Sequence, residues 1–301
     1  MQIHGNLEMP ISPPRDILAS IGNTTLLELR TIRPDNGVRV MLKLESENPT
    51  GSMKDRMALA MISAAEADGR LGAGGMVVEY TGGSTGVSLA LVCAVRGYRL
   101  HIVTSDAFAR EKLTHMLRLG AELRIIHSED GRMTEKLTRD MIAAAGVIAA
   151  ETGAFWTDQM NNRDQMAAYD AMADEIWAQT GGQVDGFVQG VGTAASLCGI
   201  GGSLRARNPN IAVVAVEPAE SPVLSGGKTG AHKIDGIGAP TPPIGSTACQ
   251  PRRQSRWRRG LPARKVFLPA HQPAPMLWLH FGWLRPARQV PSSSRSCAML
   301  G

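Results

Sequence analysis

From Arg39 to Val216 the chain alternates strand-like and helix-like runs, and glycines or small hydroxyl residues stand at most of the junctions. Residues 39–44, 76–80, 99–104, 122–126, 186–189 and 211–216 read as strands, being short, rich in Val, Ile and Leu, and bounded by turn residues. Between them, residues 57–67, 87–94, 110–119, 134–145, 164–179 and 194–204 carry the apolar spacing of helices. Strands that alternate with helices of this length form parallel sheets with helices on both faces, so the fold class is α/β with three-layer α/β/α architecture, and the length suffices for one large or two ordinary domains. No internal repeat interrupts the pattern.

Ligands of such folds gather where a strand ends and a helix begins, and the run Asn48-Pro49-Thr50-Gly51-Ser52-Met53-Lys54-Asp55-Arg56 is a junction of that kind. Pro49 and Gly51 mark the turn, Ser52 is a helix N-cap candidate, and Lys54 falls in the first helical turn. A lysine is ordinarily a solvated surface residue. Here the positive end of the helix dipole disfavours its charge, which favours a neutral amine or a lysine consumed in a covalent bond.

Further junctions follow. In Thr81-Gly82-Gly83-Ser84-Thr85-Gly86, N–H groups at a helix start make a carboxylate site that glycines leave open. Gln159 follows the strand-like Phe155-Trp156-Thr157, where a lone polar residue is often no more than a cap. The loop Gly190-Val191-Gly192-Thr193-Ala194-Ala195-Ser196 can offer converging N–H donors to a phosphate. Gly236-Ile237-Gly238-Ala239 closes the series.

Taken together with Ile21-Gly22-Asn23-Thr24-Thr25-Leu26, these motifs resemble, in the same order, those of the fold-type II pyridoxal-phosphate (PLP) enzymes. The match in wording is to the cysteine synthase and cystathionine β-synthase family, and it covers roughly the first four-fifths of the chain. The resemblance implies a tryptophan synthase β-like PLP fold of two three-layer α/β/α domains, with Lys54 as the catalytic, cofactor-bearing lysine. It implies that Thr81, Gly82, Gly83, Thr85 and Gln159 bind the amino-acid substrate, and that Gly192, Thr193, Ala194, Ala195, Ser196 and Gly236 hold the cofactor. Ser84 stands where the family has an asparagine at the cofactor's 3-hydroxyl. In the family's phosphate loop, glycines occupy the places of Ala194 and Ala195. Alanine cannot readily reach positive φ, so the expectation is that both positions are already helical.

The implied reaction is β-replacement on an O-activated serine with sulfide, giving cysteine. Cystathionine formation, serine or threonine dehydration and diaminopropionate synthesis remain alternatives within the family. The resemblance also implies a homodimer, with a larger cofactor-binding domain from residues 1–40 and 146–243 and a smaller mobile domain from residues 41–145. No metal-ligand spacing is present, and Cys93 and Cys198 read as isolated thiols of a reducing compartment. With no long apolar segment and no signal-like start, the expected location is the cytoplasm and no membrane partner is expected.

Charge sets the last part of the chain apart. Residues 244–301 hold ten Lys and Arg and no Asp or Glu, whereas residues 1–243 carry 22 basic and 27 acidic groups. The stretch also holds three of the five tryptophans and seven of the eighteen prolines, and it shows neither a helical nor a strand period. A basic arm for single-stranded nucleic acid is one reading, opposed by the acidic body. The other comes from the resemblance, whose strand ending in a pyridine-binding serine or threonine has no counterpart after Pro243. Reverse translation of residues 264–284 in a neighbouring frame permits Glu-Gly-Leu-Phe-Ala-Gly-Thr-Ser-Ala-Gly-Ala-Asn-Val-Val-Ala-Ala-Leu-Arg-Leu, a family-like C-terminal motif. The expectation is therefore that residues from about 243 onward are translated out of frame. A sheet left open there would have an unpaired edge.

Overall fold

The computed structural model describes residues 16–30, 38–230, 234, 236–238 and, as backbone only, 297–300. The elements are β1 (Leu26–Leu29), β2 (Arg39–Lys43), α1 (Lys54–Ala67), β3 (Met76–Tyr80), α2 (Ser84–Arg96), β4 (Arg99–Ser105), α3 (Arg110–Arg118) and β5 (Glu122–Ile126). They continue with α4 (Glu135–Thr152), β6 (Phe155–Trp156), α5 (Met166–Gln179), β7 (Gly186–Gly190), α6 (Ala195–Arg207), β8 (Ala212–Val216) and β9 (Cys297–Leu300). Short helical turns stand at Ile17–Ser20 and Glu45–Glu47.

The strands form two sheets. One has the order β5-β4-β3-β6 and is parallel throughout. The other has the order β1-β2-β9-β7-β8 and is parallel except for the β1–β2 pair. Strand alternation divides the side chains of the first sheet between two helical layers. Val77 and Ile102 join a cluster with Met61 and Val92 of α1 and α2, while Val78 and Val103 join one with Leu137, Met141 and Ala145 of α4. In the second sheet Met41 and Phe187 share their core with Met172 and Ile176 of α5 and Ile200 of α6.

The helices carry readable boundaries. Helix α2 buries every residue from Thr85 to Cys93, as a helix sandwiched between other elements must, and Gly97 ends it in the left-handed region. Thr134 caps α4 by accepting from the Leu137 N–H, and Gly153 closes it in the same left-handed way.

Three expectations need correction. The strand β9 lies in the stretch that shows no strand period, and it fills the place between β2 and β7 instead of leaving an open edge. Four residues are too few to display a period, and a strand paired on both sides is fixed by its neighbours. Cys198 is disulfide-bonded, so it is not an isolated thiol and gives no argument for a reducing compartment. Cys93 is free and buried, its thiol pushed up to about 12 by burial. Ser52 is not the residue that caps α1, since that position falls to Met53, although the Ser52 hydroxyl still accepts from the Lys54 N–H at 3.2 Å. The rest of the basic stretch, with the out-of-frame and nucleic-acid readings, lies outside the described residues.

Beneath the start of α1 runs a buried ionic network. Arg56 donates from Nε and Nη2 to Glu45 at 2.7 and 2.9 Å, and from Nη1 and Nη2 to Glu175 of α5 at 2.6 and 2.8 Å. Lys43 Nζ reaches Glu175 at 2.7 Å, the Thr24 carbonyl at 2.7 Å and Gln179 at 2.8 Å. Glu175 also accepts from the Asn23 N–H at 2.9 Å, and Asn48 accepts from the Gly22 N–H at 2.8 Å. Burial disfavours charge on all of these groups, but two forked contacts hold the Arg56 proton firmly and raise its pKa. Desolvation is likewise the largest influence on Glu175, yet the hydrogen bonds from Arg56 and Lys43 outweigh it and bring the carboxyl down to about 2.

Removing one partner leaves a charge buried and unpaired, so Glu175→Ala is expected to lose about 3–5 kcal/mol in urea denaturation. The folded pKa of Glu175 lies below the unfolded value of about 4.3. Its contribution is thus complete above that value and is lost as pH falls from about 4.3 to about 2. Melting temperature should fall more steeply across this window in the wild type than in Glu175→Gln.

Candidate active site

Lys54 is the first residue of α1 and follows a closed turn. Gly51 takes φ +75°, a left-handed conformation that costs glycine nothing, and lets the chain turn back on itself. Asp55, fully buried, accepts from the Thr50 N–H at 2.8 Å and from its hydroxyl at 2.5 Å. The Thr50 hydroxyl also lies 3.2 Å from that of Ser88 on α2. Lys54 is half-buried, and among the described residues no group hydrogen-bonds to or pairs with Nζ. Desolvation lowers its pKa to about 8, which makes burial, rather than the helix dipole, the source of its weakened charge.

The loop before α2 leads into the helix that meets this turn at Ser88. Gly83 is the α2 N-cap and no side chain caps that helix, so the Ser84 and Thr85 N–H groups are left for a ligand while that of Gly86 bonds to the Gly83 carbonyl at 3.1 Å. Thr81 accepts from the Gly83 N–H at 3.3 Å. Gly82 is required by packing, because a Cβ there would meet the Phe108 ring at 1.8 Å. The Thr85 hydroxyl donates to Gln159 Oε1 at 2.7 Å, and Gln159 Nε2 reaches the Tyr80 carbonyl at 3.4 Å, which joins this loop to the segment after β6. Ser84 accepts from Lys112 Nζ of α3 at 3.3 Å.

The third wall is the loop between β7 and α6. Gln189 Nε2 contacts the Met53 sulfur at 3.4 Å, so the strand feeding this loop touches the residue before Lys54. Gly236 lies against the loop: a Cβ on Gly192 would meet its carbonyl oxygen at 2.7 Å, and the Gly238 N–H donates to the Val191 carbonyl at 2.8 Å. Helix α6 lacks a side-chain cap, as α2 does. Thr193 is partly exposed, Ser196 is buried in the first turn, and Ala195 is the first helical residue. Ala194 departs from expectation. It is not helical but sits at φ +62°, ψ −11°, the left-handed conformation that glycine would take without cost.

These contacts link the segments that carry Lys54, the Thr81–Thr85 loop with Ser84, Gln159, the Gly192–Ser196 loop with Thr193, Ala194 and Ala195, and Gly236; Ala239 lies outside the described residues. The donor set fits PLP. A shielded amine without a partner suits the aldehyde, and an uncapped helix behind two small residues suits a phosphate. Gln189 Oε1, buried and without a partner beside Met53, is an acceptor that a bound group could satisfy. Among the described residues there is no metal-binding cluster.

Sequence reading missed Gln189, Phe108, the Thr50–Asp55 clasp and Glu79. Glu79 alone left a signal, as a carboxylate inside the apolar run Val77-Val78-Glu79.

Comparison with known proteins agrees with the geometry. The family model described as pyridoxal-phosphate dependent enzyme matches residues 17–255. Cysteine synthase of Staphylococcus aureus is 38% identical over 233 residues, which is 77% of this chain and 73% of the relative. Among solved structures, an O-ureido-L-serine synthase superposes with a TM-score of 0.71 at 35% identity, covering 76% of this chain and 71% of its own. O-acetyl serine sulfhydrylase isoform 3 of Entamoeba histolytica gives 0.70 at 37%, covering 78% and 71%.

The two alanines of the β7–α6 loop should respond oppositely to glycine. Ala194→Gly relieves the left-handed strain and is expected to stabilise by about 0.5–1 kcal/mol, net of the entropy that glycine adds to the unfolded chain. Ala195→Gly weakens a helical position and should destabilise by a similar amount. Denaturation midpoints of the two variants check the pair.

Proposed function

The chain belongs to the family of pyridoxal-phosphate dependent enzymes, and on that premise we propose that it catalyses β-replacement on an O-activated L-serine, sulfide displacing the β-substituent to give cysteine. The observation that carries this reading is an unpartnered, shielded Lys54 whose turn is linked through Thr50–Ser88 and Met53–Gln189 to the segments of α2 and β7–α6, where two helix starts lack side-chain caps. The cysteine synthase and sulfhydrylase relatives support the choice of substrate and nucleophile.

PLP, when bound, supplies the electron-withdrawing ring that acidifies the substrate α-carbon. Lys54 is the residue that would hold it covalently. Its amine would take the α-proton, and a pKa of about 8 leaves part of it neutral at pH 7 to 8. Gly192, Thr193, Ala194, Ala195 and Ser196 would bind the phosphate, and Gly236 would border the ring. The loop of Thr81, Gly82, Gly83 and Thr85 would bind the substrate carboxylate, with the Gly82 and Thr85 N–H groups as its donors, while the Thr85 hydroxyl holds Gln159 beside them. Packing of Phe108 over Gly82 limits access of water to that loop.

Ser84 supports a second reading, in which the nucleophile or leaving group differs. Its short side chain leaves room for a cation, and Lys112 Nζ donates to it. Sulfide-dependent cysteine formation, without keto acid release from serine or threonine, is the outcome expected of the first reading; keto acid without an added nucleophile would identify a dehydratase.

We also propose a homodimer, a cytoplasmic location, and movement of residues 41–145 against the remainder. No helix among the described residues is long and apolar enough to cross a membrane. The residues from about 243 onward are proposed to be out of frame, with turnover impaired as a consequence; nucleotide sequence that encodes no family-like peptide in either neighbouring frame would refute this.

Lys54→Ala is expected to abolish the visible absorbance that PLP acquires on binding, with an unchanged far-ultraviolet circular dichroism spectrum. Retained absorbance would refute the role of the lysine.

A further inference from the structure

Glu79 is the last residue but one of β3, follows the apolar pair Val77-Val78, and has no exposed surface. Its Oε1 accepts from the Tyr80 N–H at 2.9 Å, and its Oε2 accepts from the Gln159 N–H at 3.0 Å and from the Thr157 hydroxyl at 2.5 Å. All three partners donate, so the pocket suits a carboxylate, which only accepts. Among the described residues no Lys, Arg or His pairs with it. A buried carboxylate without a counter-ion is costly, and an amide or an apolar residue at a strand end would avoid that cost.

Its bonds fall on two segments of the cleft. One is the step from β3 into the Thr81–Gly86 loop, and the other is the segment after β6 that carries Gln159. The Gln159 backbone is fixed by Glu79, while its side chain is fixed by Thr85 and the Tyr80 carbonyl. Thr157 adds a backbone bond to the Val78 carbonyl at 3.1 Å, so the carboxylate sits at the centre of the joint.

We propose that Glu79 is a positioning residue for the amino-acid substrate: as a carboxylate it anchors the Gln159 backbone and so aligns the Thr85–Gln159 pair, and taking up a proton loosens that alignment and weakens substrate binding. The proposal rests on the reading of this loop and Gln159 as the substrate site.

The chemistry supports a change within the working range of an enzyme. Burial raises the carboxyl to about 7 against the opposing hydrogen bonds from Thr157, Gln159 and Tyr80, and the negative Asp158 adds to the rise. The other titratable neighbour, Tyr80, is itself pushed up to about 12 by burial and stays neutral throughout. The flanking strand presents neutral Ile102 in register, and the faces of α2 and α4 towards the sheet carry Leu89, Leu137 and Met141. A protonated Glu79 must give one oxygen a hydrogen of its own, which turns the Thr157 hydroxyl into an acceptor and weakens the charge-assisted bond to Gln159.

The test uses the PLP-loaded full chain. In the wild type, KM for the O-activated serine should rise up to about tenfold from pH 8 to pH 6 with kcat changed much less, and the Gln159 amide resonance should titrate with a midpoint near 7. Glu79→Gln should abolish that pH dependence and leave KM raised about three- to tenfold at pH 8, since its amide cannot accept at both positions. Thr157→Val removes a bond that lowers the pKa of Glu79, so it should move the same limb to higher pH and keeps the test open if Glu79→Gln fails to fold. In a Gln159→Ala background, Glu79→Gln should have no further effect on KM. Additive effects on KM, or an acid limb that survives Glu79→Gln, would overturn the role of Glu79 while leaving the substrate site standing. An unchanged KM in Gln159→Ala alone would remove both.

Discussion

The placement of Lys54 depends on a charge cluster that never touches the cleft. Arg56, two residues further on, is clamped between Glu45 and Glu175, and through them α1 is fastened to the turn after β2 and to α5. Forked guanidinium–carboxylate contacts are directional, so they fix the rotation of α1 about its own axis as well as its position. Apolar packing of Met57, Met61 and Ile62 would tolerate small rotations that this clamp does not. A catalytic group at a helix start is only as well placed as the helix, and here polar contacts do what the core alone would leave loose.

The cleft itself is assembled by short hydrogen-bonded links between distant segments. Thr50 meets Ser88, Gln189 meets Met53, Thr85 meets Gln159, and Gly238 meets Val191. Each joins a different strand–helix junction to its neighbour. The starts of α2 and α6 lie within this ring and lack side-chain caps, which leaves N–H groups there for a ligand.

Much of this was legible in the sequence. The alternation of strands and helices was readable because parallel strands are uniformly apolar and their junctions need glycine. The site stations were readable because each is a strand-to-helix turn with a recognisable composition. The ionic network was not, because Arg56, Glu45, Glu175 and Lys43 are far apart in the chain and a charged residue on a helix reads as solvated until its partners are known. Ala194 was misjudged for a related reason: composition says that alanine avoids positive φ, but a loop closed at both ends can impose the conformation on it. Four-residue β9 carries too little pattern to be seen before its neighbours are in place.

The order of the strands also bears on how the chain assembles. β3, β4 and β5 are neighbours both in sequence and in the sheet, so that layer closes short loops and can form early. In the other sheet, β2 and β7 flank a single shared strand although more than half of the chain's described length separates them, and α5 must arrive before Arg56 finds its second carboxylate. Lys54 therefore becomes shielded in the last stage of folding, and an intermediate with the four-stranded sheet complete would present that lysine to water with an ordinary amine's charge.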